Sequence, residues 1–330
     1  VEHDDVKAAE LFESAALQGH MNSQYTLGVM YYHGEGYYHG KGVVANKQKA
    51  AFWYGKAAEQ GHAGSQCWLG YLYEKGQENI ESDIEKSIFW YTKAAEQGNP
   101  EALFNLGLTY LEGKDVEQDY QKAKDYLVKA AELNSIEAII SLGNMYFNGD
   151  GVPQDYQKAL EYYLKGTEVE NTECLNYSAY IYDNGCGIDI DLEKAFKFYL
   201  RSAEQGDTEA QLRVGYSYKA GEGTKQDFTK AYEWYLKAAN QNSAYAQHEI
   251  ASFYSNGLGV EQNNKKAFEW LLKAAENSLI DSGIESDGKA EYDLSKLYEE
   301  GCGTRKNKKK AAFWLQKAIE NGYVPTVEEE

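Results

Sequence analysis

The sequence predicts an all-α solenoid in which similar helix pairs stack along the chain. First, a tyrosine precedes a glycine by three residues eight times, and successive tyrosines are 36 to 44 residues apart. This period is typical of stacked repeats, in which each unit packs on its neighbours. Second, apolar residues within each unit recur at helical spacing. The eight pairs are Tyr31 and Gly34, Tyr73 and Gly76, Tyr110 and Gly113, Tyr146 and Gly149, Tyr182 and Gly185, Tyr218 and Gly221, Tyr254 and Gly257, and Tyr298 and Gly301.

The first helix of a repeat is clearest after Pro100, where a proline suits the first helical turn. Apolar and small residues follow at helical spacing as far as Tyr110 and define an inward face. Gly113 is predicted to end the helix, because glycine adopts the left-handed conformation of a helix C-terminus without a side-chain penalty. We expect the glycine of every pair to act in the same way.

A second helix is predicted to begin at an Asp or Asn in all eight repeats, because these short side chains accept the free amide protons of a first turn. A small residue lies four positions after each cap, and a large aromatic ring lies three positions further on. We expect this ring to belong to the core and to fill the gap between closely packed helices. The caps are Asn46, Asp83, Asp119, Asp155, Asp191, Asp227, Asn263 and Asn307. The rings are Trp53, Trp90, Tyr126, Tyr162, Phe198, Trp234, Trp270 and Trp314.

The period divides the chain into a lone second helix, eight repeats and an acidic tail. Repeat 1 contains a duplicated loop, and repeat 7 ends in an insertion. The lone helix lacks a first helix, so either the natural chain continues before Val1 or this helix is an atypical cap. The predicted boundaries are 1–20 for the lone helix, then 21–62, 63–99, 100–135, 136–171, 172–207, 208–243, 244–286 and 287–322 for repeats 1 to 8, and 323–330 for the tail.

Acidic residues outnumber basic ones, and the formal net charge is −19. This charge repels phosphate backbones, so we expect no nucleic-acid partner. It suits either a soluble exposed surface or a basic ligand. No apolar run approaches the roughly 20 residues that span a bilayer, so no membrane insertion is expected. The four cysteines, Cys67, Cys174, Cys186 and Cys302, are dispersed and are predicted to be free thiols, with no metal site and no cofactor.

The units have the pattern A-x-x-x-L-G-x-x-Y-x-x-G-x-G-V, then D, then K-A-x-x-W-Y-x-K-A-A-E-Q-G. This pattern resembles the Sel1-like repeat family, relatives of the tetratricopeptide repeat, and residues 27–61, 142–165 and 214–239 carry it. The resemblance implies a right-handed superhelix of antiparallel helix pairs with a concave groove. It also implies a non-enzymatic adaptor, expected to be monomeric, that binds another protein. A bacterial periplasmic or secreted location is favoured by the family, whereas unpaired cysteines are compatible with the cytoplasm.

If the first helices line the groove, three rows of residues face it: those three before, one after and four after the glycine near the middle of each first helix. The residues of repeats 3 and 4 in these rows are unusually apolar, which predicts an exposed patch that binds an extended peptide or a helix. The alternative is that a tight superhelical twist buries these side chains between repeats. The predicted partner-binding residues are Tyr71, Phe104, Leu108, Leu111, Ile140, Asn144, Phe147, Tyr180, Leu212 and Tyr216.

Three weaker alternatives concern other chemistry. The family resemblance also allows a second interpretation, an envelope protein that binds either peptidoglycan fragments or an enzyme of the cell wall. His33 and His39 lie in the duplicated loop and have the side chains of metal ligands, although a solvent-exposed duplication explains them as well. Ser286 and Lys289 fit the S-x-x-K motif of β-lactam-binding enzymes, but no K-T-G motif accompanies them. No catalytic residue is therefore predicted.

Overall fold

A computed structural model of the protein describes residues 5–34, 43–77, 80–278 and 288–324. These residues form seventeen α-helices and no strands, which confirms the predicted all-α fold class. The helices are α1 (Asp5–Leu17), α2 (Met21–His33), α3 (Lys47–Glu59), α4 (Ala63–Lys75), α5 (Ile84–Ala95), α6 (Pro100–Glu112), α7 (Tyr120–Glu132), α8 (Ile136–Asn148), α9 (Tyr156–Thr167), α10 (Thr172–Asn184), α11 (Leu192–Glu204), α12 (Thr208–Ala220), α13 (Phe228–Asn240), α14 (Ala244–Asn256), α15 (Asn264–Ser278), α16 (Lys289–Glu300) and α17 (Lys308–Glu320).

The chain divides into two compact units, Val1–Lys165 and Gly166–Glu330, which we call the N-terminal and C-terminal units. From α1 to α8 and from α10 to α17, helices that follow one another along the chain pack against each other. Even-numbered helices from α2 to α16 are the first helices of the predicted repeats 1 to 8, and odd-numbered helices from α3 to α17 are their second helices. The first helices therefore carry the rows in which the partner-binding residues were predicted.

The predicted helix ends are confirmed. All eight Asp and Asn caps accept a hydrogen bond from the backbone N–H three residues later, at 2.9 to 3.1 Å. All eight glycines of the Tyr-x-x-Gly pairs have positive φ, where an L side chain would be strained. Each repeat therefore begins and ends its helices with the side chains that its sequence pattern indicates.

A second feature of the loop was not predicted from the sequence. In every repeat the backbone N–H of the cap donates to the carbonyl of the paired tyrosine, at 2.7 to 2.9 Å. The lysine three residues after the cap places its Nζ 5.0 to 5.3 Å from the centroid of that tyrosine ring. Such cation–π contacts add attraction to the hydrogen bond. The tyrosine of each pair therefore fixes the loop between the two helices.

The close contact between the two helices of a repeat involves a different ring from the one predicted. A Cβ atom added to Gly143 would lie 2.4 Å from the ring of Tyr163, and one added to Gly70 would lie 2.5 Å from the ring of Tyr91. Both tyrosines are fully buried, and each follows the predicted ring by one position. The predicted ring instead packs beside the tyrosine of the loop, as Tyr126 stacks on Tyr110 at 6.0 Å between centroids.

Neighbouring repeats are joined by a pair of side-chain amides, which we call the amide latch. A buried Gln in the first helix donates to a carbonyl near the end of the preceding second helix, at 3.0 to 3.2 Å. Its oxygen accepts from a side-chain amide at or just after the end of the second helix of the same repeat, at 2.6 to 2.9 Å. The latches are Gln24 with Gln60, Gln66 with Gln97, Gln211 with Gln241, and Gln247 with Asn277.

Repeats 3 and 4 have apolar residues at both positions of the latch. Leu103 and Leu133 take these positions in repeat 3, and Ile139 and Val169 take them in repeat 4. Leu103 and Ile139 are buried, whereas Leu133 and Val169 are 46% and 60% exposed. Leu103, Leu133 and the ring of Tyr126 line an open cavity of about 490 Å³ in the N-terminal unit. The apolar pair therefore leaves space where an amide pair closes the junction elsewhere.

Candidate functional site

The predicted face of the N-terminal unit lies on α4, α6 and α8. All seven of its predicted residues are half-buried, which lies between the predicted exposed patch and the alternative of burial between repeats. Phe104 and Leu111 pack against a core cluster that includes Leu127. The ring of Phe147 lies edge-on to Tyr156 at 5.2 Å. The seven residues, which we call the apolar face, are Tyr71, Phe104, Leu108, Leu111, Ile140, Asn144 and Phe147.

The half-burial follows from packing against the core. Phe104 and Leu111 contact one core cluster, and the ring of Phe147 lies beside Tyr156 and Tyr163 of α9. Leu108 and Ile140 are half-buried without belonging to the core clusters of the described residues. These two side chains therefore combine accessible apolar area with a small role in packing.

A hydrogen bond lies at one edge of the apolar face, and packed aromatic rings lie at the other. Asn144 Oδ1 accepts a hydrogen bond from the hydroxyl of Tyr163 at 2.6 Å, which orients its amide at the surface. Tyr71 lies edge-on to Trp68 with ring centroids 5.8 Å apart, and Trp68 stacks parallel to the buried Tyr54 at 5.8 Å. The aromatic packing therefore joins repeat 2 to repeat 1 at this edge.

Carboxylates border the apolar face at both ends of its helices. Glu101 and Glu137 lie in the first turns of α6 and α8, and Glu112 is the last residue of α6. No basic side chain in the described ranges lies within ion-pair distance of these three carboxylates. Glu74 accepts from the hydroxyl of Tyr91 at 2.9 Å. The apolar face therefore lies within a negative border.

The C-terminal unit places the remaining predicted residues on α10 and α12. Tyr180 and Tyr216 are 41% and 45% exposed, so their rings are accessible as predicted. Leu212 is half-buried and packs against a core cluster that includes Tyr235 and Ile250. Only the two tyrosines thus offer an open surface.

Two charged residues beside these tyrosines, Arg213 and Glu249, lie outside the three rows that the sequence predicted to face the groove. Glu249 on α14 is buried, and its Oε2 lies 2.6 Å from Lys219 Nζ on α12. Arg213 lies between Glu209, at 3.2 Å, and Asp183, at 4.0 Å. Burial and the nearby Glu222 raise the pKa of Asp183, whereas Arg213 opposes this shift. Arg213 and Glu249 both lie two positions before the middle of a first helix, a row that the sequence analysis left out.

The weaker alternatives gain no site in the described ranges. No group of three or more His, Cys, Asp or Glu side chains there could hold a metal ion. His39 and Ser286 lie outside the described residues, whereas His33 is exposed at the end of α2. No described helix has the length and apolar character needed to cross a membrane.

All four cysteines are free. Cys67 and Cys174 are buried, and burial is the main cause of the raised pKa of both thiols. The pKa of Cys174 is raised to about 12. A thiol with a raised pKa is protonated at neutral pH and reacts slowly. The buried thiols therefore belong to the packing of the first helices.

Comparison with known proteins assigns the repeat. The family model for the Sel1 repeat matches residues 1–20, 22–62, 63–99, 100–135, 136–168, 172–207, 208–243, 244–279 and 288–323. No curated protein sequence matches the chain.

Two solved structures are similar over almost the whole chain. The first is a protective antigen present in uropathogenic Escherichia coli strains and displaying an SLR fold; it is 32% identical, covers 95% of this chain and has a TM-score of 0.85. The present chain spans 64% of the length of that antigen's chain. The second is a Sel1 repeat protein from Oxalobacter formigenes, which is 25% identical, covers 98% of this chain and 92% of its own, and has a TM-score of 0.70. The chain belongs to the Sel1 repeat family.

Proposed function

We propose that this chain is a non-enzymatic scaffold that binds a segment of a partner protein on the apolar face of its N-terminal unit. Sel1 repeat proteins generally mediate protein–protein interaction, and the family is generally non-catalytic. The observation that carries the proposal is the apolar face itself, a continuous series of half-buried apolar side chains from repeat 2 to repeat 4. Apolar patches of this kind on protein surfaces mark interaction sites.

The geometry of the face suits anchor residues of a partner. Phe104 and Phe147 are held by the core on one side, so binding immobilises little side-chain motion. Leu108 and Ile140 add aliphatic surface between them. Rigid apolar anchors that lose their remaining water on binding are the residues that carry most of the affinity in protein interfaces.

The charges around the face favour one kind of segment. The border formed by Glu101, Glu112 and Glu137 is negative, in keeping with the net charge of the chain. A peptide or helix with apolar residues flanked by Lys or Arg would match both the face and its border. An acidic segment would meet like charges.

The test is selection of a displayed peptide library against the chain, followed by titration of the selected peptide. We expect apolar peptides with basic flanks, and at least a tenfold loss of affinity in Phe104→Ser/Leu108→Ser/Phe147→Ser, since removal of central anchors typically costs about 2 kcal/mol or more. Because two of these residues pack on the core, Leu108→Ser/Ile140→Ser provides a milder variant. Circular dichroism checks that both variants keep their helices.

The matched control is Phe52→Ser/Phe89→Ser, which removes two exposed rings from second helices of the same unit. This control should bind the selected peptide as tightly as the natural chain. Unchanged binding by both folded variants of the apolar face would contradict the proposal. Binding of muropeptides in place of peptides would support the envelope alternative instead.

A further inference from the structure

The C-terminal unit has a surface on its first helices that differs chemically from the apolar face. Tyr180, Tyr216 and Tyr245 are 41%, 45% and 55% exposed on the successive first helices α10, α12 and α14. Tyrosine is enriched at protein interfaces, where its ring supplies apolar area and its hydroxyl a hydrogen bond. We call these three residues, together with Asp183, Arg213 and Glu249, the tyrosine face.

The floor beneath the exposed rings consists of buried tyrosines. Tyr235 is fully buried, and its ring lies 6.5 Å from that of Tyr245. Tyr199 is also buried, and the charges of Asp183 and Arg213 act on its hydroxyl. Burial raises the pKa of both floor residues, so their hydroxyls stay neutral. The charge of the tyrosine face therefore comes from its carboxylates and bases alone.

Each base of this surface is already paired with a carboxylate. Arg213 Nε lies 3.2 Å from Glu209, and its Nη1 lies 4.0 Å from Asp183. Lys219 Nζ lies 2.6 Å from Glu249. Glu222 accepts from the hydroxyl of Tyr216 at 3.4 Å. Four carboxylates thus surround two bases, and the surface carries an excess of negative charge.

This arrangement selects against anions and in favour of cations. A phosphate or carboxylate approaching Arg213 would meet Asp183 and Glu209 first, and the excess charge would repel it. A cation would find exposed ring faces beside carboxylate oxygens. A guanidinium group fits best, because its plane stacks on tyrosine rings while its N–H groups reach a carboxylate.

We infer that the tyrosine face binds an arginine-bearing segment of a partner protein. This surface lies apart from the one in the proposed function, so either can be correct without the other. Tyr180 and Tyr216 would stack the guanidinium groups, Asp183 would accept their N–H groups, and Tyr245 would extend the platform along the segment.

The experiment titrates the full chain with a fluorescent peptide of repeated Gly-Ser-Arg units at physiological ionic strength. Peptides with Lys or Glu in place of Arg serve as probes of chemistry. The Arg peptide should bind, the Lys peptide should bind about threefold or more weakly, and the Glu peptide should not bind, because ring stacking and bidentate donation favour a guanidinium. Equal binding of the Arg and Glu peptides overturns the inference.

Variants locate the bound peptide. Tyr180→Ser/Tyr216→Ser/Tyr245→Ser should lose about tenfold or more in affinity for the Arg peptide, because three cation–π contacts are removed. The matched variant with Phe at the same positions keeps the rings and should bind within about threefold of the natural chain. These side chains are exposed, so thermal unfolding should change little in either variant.

A further control separates the tyrosine face from the general negative charge of the chain. Glu85→Gln/Glu117→Gln/Asp125→Gln removes three exposed carboxylates of the N-terminal unit and should leave the affinity nearly unchanged. Asp183→Asn should weaken binding of the Arg peptide. Undiminished binding by the folded triple Ser variant overturns the inference, and so does a loss that appears only in the variants of the apolar face.

Discussion

Repeats 2 and 3 are neighbours in the N-terminal unit, yet their junctions with the preceding repeat use opposite chemistry. In repeat 2, Gln66 donates to the carbonyl of Ala58 at 3.0 Å and accepts from Gln97 at 2.7 Å. In repeat 3, Leu103 and Leu133 hold the same positions and line a cavity. Both members of the pair differ between the two repeats. The same helix pair therefore accommodates either two amides or two apolar side chains at these positions. Neither repeat 2 nor repeat 3 combines one amide with one apolar side chain.

In repeats 2 and 3, both positions of the latch are polar together or apolar together because burying an unpaired polar group is costly. A buried carboxamide without a partner loses its hydrogen bonds to water and gains none, whereas two apolar groups need no partner. Repeat 5 provides an intermediate case, because the buried Leu175 and the exposed Gln205 occupy the two positions of the latch. There, Arg201 Nη2 donates at 2.6 Å to the carbonyl of Thr167, which occupies the position of Ala58. A cationic donor thus replaces the missing amide.

The largest effect is expected where the junction depends on packing alone. Leu103→Ala removes a side chain that is only 4% exposed and enlarges an existing cavity. We expect a loss of about 2 to 5 kcal/mol in the free energy of unfolding. Urea denaturation followed by circular dichroism measures this loss, with hydrogen exchange of α6 and α7 as a local readout. A loss below about 1 kcal/mol would show that the apolar pair contributes little to the junction.

A smaller effect is expected where the junction depends on hydrogen bonds. Gln66→Leu keeps much of the buried volume but removes two hydrogen bonds, so we expect a loss of about 1 to 2 kcal/mol. Gln66→Leu/Gln97→Leu reproduces the pair of repeat 3 and should be more stable than the sum of its single variants predicts, by about 0.5 to 1 kcal/mol. Strictly additive losses would mean that the two positions are independent.

The role of Arg201 is tested by a conservative change. Arg201→Lys keeps the positive charge but cannot donate from one planar group to both Thr167 and Glu170. We expect a loss of about 1 kcal/mol, because the side chain is partly exposed. Glu170→Gln removes only the ion pair and should cost less than Arg201→Lys. Equal costs would assign the stabilisation to the surface ion pair and not to the carbonyl.

The sequence predicted the features that depend on backbone conformation within one repeat. Asp and Asn caps and the glycine of each Tyr-x-x-Gly pair act through the nearest turn, so their spacing alone identifies them. The ring that fills the gap was predicted one position too early, at Tyr162, whereas the structure places Tyr163 there. The two residues could not be distinguished by size, because both are large and aromatic. Helical spacing does not decide which of two adjacent rings faces a neighbour.

Features that depend on contacts between repeats were not predicted. The amide latch joins residues about 30 to 36 positions apart, as in Gln66 with Gln97, and no local pattern marks a buried Gln. In the partner-binding rows, Phe104 is less exposed than predicted, whereas Tyr216 is exposed as predicted. The difference depends on how closely the next helix packs, which the spacing within one repeat does not fix. Whether either face binds a partner stays a prediction.

The smallest effect is expected at the exposed end of the apolar pair. Leu133 is 46% exposed, so Leu133→Gln loses little apolar burial and leaves its amide in water. We expect a change within about 0.5 kcal/mol in the free energy of unfolding. In a chain that already carries Leu103→Gln, the same change should be stabilising, because the new amide can donate to the buried oxygen as Gln97 does to Gln66. A double-mutant cycle by urea denaturation gives the coupling directly.

A coupling of about 0.5 to 1 kcal/mol would show that repeat 3 can accept the latch of repeat 2 and that its apolar pair is an interchangeable solution. Zero coupling, with Leu103→Gln destabilising in both backgrounds, would have a different meaning. The cavity beside Leu103 and Leu133 would then be a fixed property of this junction, set by the packing of α5 against α7 and not by the two side chains. The pair in repeat 3 would depend on neighbours that repeat 2 lacks.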